Sequence, residues 1–199
     1  MTQIFTEDGT MIPLTAIQVG PCPITQIKTE SKDGYNAVQI GFETKKEKNT
    51  TRPLLGHFAK SGVAPQRVLK EVRVDSTDGL ELGKHWDVSF DEGERVDIAG
   101  NSKGRGFQGG MKRHGWKGGE ESHGSMFHRR IGAIAPGTGL GRIFPGKTLP
   151  GHMGTERVVI QNMEIVKVDK ENNLIFVRGG IPGPNGSFVY LKETTKNKK

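Results

Sequence analysis

The chain has 199 residues and a formal net charge of +7, from 29 Lys or Arg and 22 Asp or Glu. This length supports one hydrophobic core, with at most an arm or a small second unit in addition. The single cysteine, Cys22, excludes an internal disulfide, and no run reaches the roughly 18 apolar residues of a membrane-spanning helix. The basic balance favours a polyanionic partner such as nucleic acid.

The amino-terminal residues, MTQIFTEDGT, contain acids and no Lys or Arg. Secretory signals and transit peptides both carry basic residues, so we expect neither here. A lone cysteine also fits a reducing compartment. These features favour a cytoplasmic protein, with an organellar matrix or stroma as the alternative.

Residues 1–44 consist of short runs rich in Ile, Val, Phe and Thr, separated by turn residues. The pattern predicts strands over Thr2–Thr6, Thr10–Val19, Ile24–Thr29 and Ala37–Phe42. The pairs Asp8-Gly9 and Asp33-Gly34 are signals for two-residue hairpin turns. Short strands at close spacing indicate a barrel or a sandwich rather than βαβ units.

One short helix is predicted over Pro53–Ser61. Thr51 is a candidate cap, the proline lies in the first turn, and Gly62 is a stop signal. Leu54, Leu55 and Phe58 recur at helical spacing and are expected on one face.

Later runs continue the β pattern. The predicted strands are Val68–Val74, Trp86–Phe90, Arg95–Ala99, Val158–Val168, Leu174–Val177 and Phe188–Leu191. We therefore expect 1–100 and 158–191 to form one globular β domain around an inserted segment. Residues 192–199 are expected to be a disordered basic tail.

The inserted segment, 101–157, holds the charge of the molecule. It contains ten Lys or Arg and three acids, so its net charge of +7 equals that of the whole chain. It also holds 15 of the 29 glycines and few periodic apolar residues, so it cannot pack a core of its own. A structureless loop this long is unusual inside a compact domain. We expect an arm that protrudes and becomes ordered on a large anionic partner.

Enzymatic patterns in the arm are weak. Residues 104–109 match G-x-G-x-x-G, but the sequence that follows cannot form the helix that a dinucleotide site needs. His114, His123 and His128, with two nearby glutamates, match no zinc spacing, and neither serine between them lies in a nucleophile elbow. No catalytic residue, metal or cofactor is predicted. A metal-dependent hydrolase using this His/Glu-rich loop is kept as an alternative function.

RNA binding accounts for more of these features at once. Lys and Arg neutralise phosphates, His can hydrogen-bond phosphate or 2′-hydroxyl groups, and aromatic rings can stack on unpaired bases. The candidate RNA-binding residues are Lys103, Arg105, Lys112, Arg113, His114, Trp116, Lys117, His123, His128, Arg129, Arg130, Arg142, Lys147, His152, Met153 and Arg157. For Phe107 and Trp116, base stacking and packing inside the arm stay equally open. A free RNA chaperone is a further alternative.

Three runs of the sequence resemble the signature of the ribosomal protein L-three family in its bacterial form: KGRGFQGGMKRHGW, SHGSMFHRR and IFPGKTLPGHMGTERVVIQN. The opening MTQIFTEDG and the segment GHFAKSGVAP also resemble that family. The resemblance covers the whole chain in order. It implies a mainly β fold, a translation-factor-type six-stranded β-barrel with a long, glycine-rich basic extension inserted in it.

The resemblance also implies a function. Members of the family are structural constituents of the large ribosomal subunit that bind 23S-type ribosomal RNA directly and act early in assembly. Neighbouring large-subunit proteins are the other expected partners, and no catalytic role is expected. The arm would reach towards the peptidyl transferase centre, with Gly146–Gly154 as its tip.

Two positions depart from the family pattern. Some bacterial members have a methylated glutamine where this chain has His152, so glutamine methylation is not carried over. The family also usually has several residues before the motif at which this chain begins. We therefore expect either an unusual start or a shortened chain.

Overall fold

The computed structural model describes residues 1–77, 79–86, 90–137, 139 and 141–196. The described chain is mainly β, as predicted. Its strands are β1 (Thr2–Phe5), β2 (Met11–Gln18), β3 (Ile24–Lys28), β4 (Ala37–Thr44), β5 (Gln66–Arg73), β6 (Arg95–Asn101), β7 (Gly106–Gln108), β8 (Gly151–Met153), β9 (Arg157–Asp169), β10 (Leu174–Arg178) and β11 (Val189–Glu193). The predicted strand over 86–90 lies mostly outside the described residues.

The helices are short. They are α1 (Glu30–Asp33), α2 (Arg52–Ser61) and α3 (Gly110–His114), with a 3-10 helix at Glu47–Asn49. None of the helices in the described ranges is long and apolar enough to cross a membrane.

Helix α2 begins one residue before the predicted start and ends where predicted, at a left-handed Gly62 with φ of 66°. Phe58 is 2% exposed but Leu54 is 41% exposed, so only part of the predicted apolar face is buried. Thr51 precedes the helix without a side-chain capping bond. Pro53 explains this in part, since it removes the N–H at one of the two positions that a cap would bind.

The two predicted hairpins differ in their turns. β1 and β2 pair antiparallel, with Phe5 opposite Met11, so the first hairpin is confirmed. Its turn is longer than the predicted two residues, because the N–H of Thr6 donates to the carbonyl of Thr10. β3 and β4 also pair antiparallel, but α1 lies between them, so the predicted two-residue turn is wrong. The Asn36 side chain accepts a hydrogen bond from the N–H of Glu30 at 2.9 Å, which stabilises the first turn of this helix. Gly34, with φ of 79°, ends it.

One compact unit comprises Met1–Arg95 and Glu164–Gly180. It contains the antiparallel order β1-β2-β10-β9 and the separate sheet β3-β4-β5. Its buried apolar side chains come from the sheet faces that alternate inward and from α2. They include Leu14, Ile17, Ile24, Val38, Phe58, Ile165, Ile175 and Val177.

The second compact unit comprises Val96–Met163 and Ile181–Lys199. Here β6 lies between β9 and β11, and Val96, Ile98 and Met163 are buried. β11 continues to Glu193, past the predicted start of the tail, because Lys192 and Glu193 pair with β6.

The two sheet orders share β9, which gives the six-stranded order β1-β2-β10-β9-β6-β11. No closed barrel is found among the described strands. The division into a globular part and an arm over 101–157 stays a prediction.

Candidate nucleic-acid interface

The two ends of the basic segment are paired where it leaves β6 and enters β9. The N–H of Ser102 donates to the carbonyl of Glu156 at 2.9 Å, and the N–H of Thr155 donates to the carbonyl of Ser102 at 3.2 Å. Beyond this point β7 and β8 form a short antiparallel ladder. The sequence predicted a structureless segment, but the two ends of the segment pair their own backbone polar groups and are therefore ordered.

Glycine allows this close pairing at Gly154. The residue has φ of 83°, and a Cβ placed on it would overlap the carbonyl oxygen of Lys103. Only a residue without a side chain lets the two backbones approach so closely. At this position, glycine thus allows one stretch of backbone to pack directly on another.

Helix α3 carries a small aromatic cluster. Gly110, its first residue, is buried beneath the indole of Trp116, and a Cβ there would overlap the ring carbons. The imidazole of His114 stacks on the same indole, with ring centroids 6.2 Å apart and an angle of 25° between planes. Of the two roles left open for Trp116, this geometry supports packing inside the segment.

Phe107 has the opposite environment. It lies on β7 and its side chain is 78% exposed. The other exposed aromatic rings of the segment, Phe127 and Phe144, lie outside regular structure. Phe107 is therefore free for stacking, and it is held on a strand.

Two predicted RNA-binding side chains bind the segment itself. Nη1 of Arg113 donates to the carbonyl of Leu149 at 2.7 Å, and Nε2 of His114 contacts the same oxygen at 3.0 Å. A carbonyl only accepts, so this geometry assigns the proton to Nε2 of His114. These bonds join α3 to the residues just before β8.

Gly118 and Gly119 close a loop onto the chain after it. The N–H of Gly119 donates to the carbonyls of Phe127 and His128 at 3.0 and 3.2 Å. A Cβ on Gly118 would overlap the carbonyl oxygen of His128. Glu120, Glu121 and His123 lie on the loop that this contact closes.

Residues 129–148 contain no strand or helix in their described positions. Arg129, Arg130, Arg142 and Lys147 are all exposed along this stretch. Of the sixteen predicted RNA-binding residues, only Arg113, Trp116 and Met153 are half-buried; the others are exposed. The stretch thus presents its cations to solvent.

These cations have no acidic partners within the described part of the chain. The ion pairs found there are Lys28–Glu71, Arg67–Glu43 and Arg178–Glu164, all outside 101–157. Within the described residues, the net charge of the segment is therefore not compensated by carboxylates. A surface of this kind attracts a polyanion at long range.

No metal site is formed by the histidines in the structure. Within the described residues, no three His, Cys, Asp or Glu side chains are grouped so that they could hold an ion. His114 binds a backbone carbonyl, and His123 and His152 lie on different loops and strands.

Sequence reasoning missed the contacts that connect the two halves of the segment. The carbonyl of Leu149 and the pairing of Phe107 with His152 join positions about forty residues apart. A period-two pattern could have revealed the strands, but three residues are too few to show one.

The model of the family Ribosomal protein L3 matches residues 72–174, which is more than half of the chain and includes the entire basic segment. The chain belongs to the ribosomal protein L3 family. It is 51% identical, over 199 residues, to the large ribosomal subunit protein uL3 of Carboxydothermus hydrogenoformans, covering 100% of this chain and 95% of the relative. Identity to the protein of the same name from Alkaliphilus metalliredigens is 50%, with the same coverage. The uL3 of Petrotoga mobilis is also 50% identical, over 93% of its length.

The predicted resemblance to this family is thus confirmed, and it extends over the full chain. Residues that resemble the family signature build the β7–β8 ladder, α3 and the exposed stretch 129–148. Most of the signature runs therefore lie in the segment that carries the positive charge.

Proposed function

We propose that this protein is a structural constituent of the large ribosomal subunit that binds large-subunit ribosomal RNA directly through residues 101–157. The main support is that the Lys and Arg side chains of this segment are mostly exposed and, among the described residues, have no carboxylate partners, in a member of the ribosomal protein L3 family. Its place of action is then the cytoplasmic ribosome, and it has no catalytic role of its own.

The finer parts of the proposal follow from the family resemblance. The segment 101–157 is an arm that threads between RNA helices and reaches towards the peptidyl transferase centre. The strands outside it form a translation-factor-type barrel that serves as a rigid base. The protein joins the particle early and contacts neighbouring large-subunit proteins.

Charge neutralisation of phosphates provides a direct test. Each phosphate contact that is removed lowers the dependence of log K on log salt by ~0.7–0.9. We expect Arg129→Ala/Arg130→Ala to weaken binding to large-subunit RNA and to flatten this slope. Titration of the full chain with a large-subunit RNA fragment at several salt concentrations measures both quantities.

Arg178→Ala is the matched control. Arg178 is an exposed arginine outside 101–157, and it donates to Glu164 at 3.2 Å. We expect its removal to leave the slope unchanged. Equal slopes for the wild type and the arm double variant would contradict RNA binding through this stretch.

Residence in the particle distinguishes a subunit protein from a free RNA chaperone. We expect the protein to co-sediment with large subunits after a wash in high salt. In a subunit protein, many contacts between the arm and RNA are buried in the particle, and salt ions do not replace them. Release of the protein by that wash would favour the chaperone. Stoichiometric zinc in the purified protein would favour the hydrolase.

A further inference from the structure

Phe107 and His152 lie directly opposite each other in the β7–β8 ladder. Directly opposed residues of an antiparallel pair have their side chains on the same face of the sheet. Both side chains are exposed, and Phe107, at 78%, is the most exposed of the large apolar side chains in the described chain. An aromatic ring and an imidazole therefore stand side by side on one open face.

The other face of the ladder is covered. A Cβ built on Gly151 would lie 2.8 Å from Nη1 of Arg113, so the guanidinium packs against that side of β8. Successive side chains of a strand alternate between faces. His152 and its partner Phe107 therefore lie on the side away from Arg113, and Met153 shares the covered side, where it is half-buried.

The ladder is held in place by bonds from both sides. The N–H of Arg105 donates to the carbonyl of Met153 at 2.9 Å, and Arg113 and His114 hold the carbonyl of Leu149 just before β8. A surface that is already ordered loses little conformational freedom when a ligand binds. This distinguishes Phe107 from the aromatic rings on the irregular stretch.

The surroundings select the kind of ligand. Lys103 and Arg105 are exposed cations two to four residues before Phe107, and no acidic residue lies in β7 or β8. A flat apolar ring within a positive field fits a nucleotide, whose base stacks while its phosphate is neutralised. A protein partner that buries an aromatic side chain would not need these cations.

We propose that Phe107 and His152 form a platform for one unpaired RNA base. The base stacks on the ring of Phe107, and the imidazole of His152 hydrogen-bonds the ribose or phosphate of the same nucleotide. This assignment rests on the proposed RNA-binding function and deepens it, because it separates a base contact from the phosphate contacts of the other arm residues.

The test uses the full chain and a fluorescently labelled oligoadenylate as the probe. Phe107→Leu keeps an apolar side chain but removes the aromatic face, whereas Phe107→Trp keeps a face for stacking. Stacking contributes roughly a 5- to 150-fold change in affinity per base. We expect Phe107→Leu to weaken binding within this range without changing the salt slope, and Phe107→Trp to retain wild-type affinity.

An abasic oligomer with the same number of phosphates is the matched control. For the wild type, we expect the abasic probe to bind more weakly than oligoadenylate. For Phe107→Leu, we expect the two probes to bind with similar affinity, because the base no longer has its partner. Equal affinity of wild type and Phe107→Leu for oligoadenylate would overturn the platform, as would an equal loss with both probes.

The share of His152 is tested by a double variant. If both residues hold one nucleotide, the losses from Phe107→Leu and His152→Ala are not additive. Strictly additive losses would remove His152 from the platform. If the platform fails but Arg129→Ala/Arg130→Ala still flattens the salt slope, the proposed function stands. If the slope of that double variant equals the wild-type slope, the proposed function itself is contradicted.

Discussion

Arg113 and His114 show that residue type alone does not decide whether a side chain binds RNA. Both were candidates because of their charge and neighbours, yet both donate to the carbonyl of Leu149 inside the segment. Gly110 was not a candidate, yet the indole of Trp116 packs directly on it. Single residues here are defined by their contacts across the segment, which the linear order does not display.

The Gly110–Trp116 contact predicts a defect from a very small change. Gly110→Ala places a methyl group where ring carbons of the indole lie, so the indole must move. Overpacking of this kind destabilises by about 1–3 kcal/mol. The fluorescence of Trp116, measured in a Trp86→Phe background, should shift towards that of a solvent-exposed indole, and affinity for large-subunit RNA should fall.

Gly132→Ala is the control for this substitution. Gly132 lies in the same segment with no atom within 4 Å of a built Cβ and without a positive φ. Its substitution should leave both measurements unchanged. An unaltered Trp116 spectrum in Gly110→Ala would contradict the packing described.

At the scale of elements, β7, β8 and α3 are each too short to be stable alone. A single turn of helix or a three-residue strand does not form in water without partners. β7 and β8 pair with each other, and α3 is joined to the residues just before β8 through the bonds of Arg113 and His114 to Leu149. Helix α2 differs, because its length and its stop at Gly62 are encoded in its own local sequence.

Phe58 is the largest of the fully buried side chains and contributes the apolar anchor of α2. We expect Phe58→Ala to lower the free energy of unfolding by about 3–5 kcal/mol. Leu54→Ala, on the same helix but at a 41% exposed position, should change it by less than about 0.5 kcal/mol. Urea denaturation followed by circular dichroism measures both, and similar losses for the two variants would show that α2 is packed differently.

The sheet β3-β4-β5 is expected to weaken in acid through Glu71. Hydrogen bonds from Lys28, at 2.7 Å, and from Tyr35, at 2.9 Å, hold the pKa of the Glu71 carboxyl below its ordinary value of 4.5. A depressed pKa stabilises the fold above the unfolded value, and this contribution is lost as the pH falls through the folded value.

Glu71→Gln should therefore make stability less dependent on pH below about 5. The midpoint of urea denaturation, measured from pH 7 down to pH 3, tests this expectation. Glu7→Gln, which removes an exposed carboxylate outside this cluster, is the control. A wild type and a Glu71→Gln variant with parallel pH profiles would contradict the assignment.

At the scale of the whole molecule, positive charge and regular structure are distributed unequally. The strands outside 101–157 carry the ion pairs and most of the buried apolar side chains, while the segment carries the net charge. Within the segment, order is concentrated near its ends, and the stretch 129–148 has no regular element in its described residues. In the function proposed, ribosomal RNA orders that stretch.

This distribution predicts where proteases cut the isolated protein. Trypsin should cleave first after Arg129, Arg130, Arg142 and Lys147, and more slowly after Lys112 and Arg113 in α3, because a protease must unfold the backbone that it cleaves. Mass spectrometry of a time course identifies the order of the cuts. In large-subunit particles the early sites should be protected. Early cleavage in α3, or equal rates in the free protein and the particle, would contradict the arm as proposed.

The sequence by itself determined the β class, the extent of α2 and the location of the charge. Each of these depends on local composition: alternation of apolar residues, a glycine stop, and a count of Lys and Arg. It also identified the family, because the signature runs are contiguous.

Only the tertiary structure separated Phe107 from Trp116 and showed that Arg113 and His114 bind Leu149. It also showed that α1 takes the place of the second predicted turn. The Asn36 side chain accepts a hydrogen bond from the N–H of Glu30, the first residue of that helix. These outcomes depend on contacts between residues that are distant in the chain or on backbone angles. The physical reason is that exposure and partner are properties of a folded surface, whereas composition and periodicity are already present in the unfolded chain.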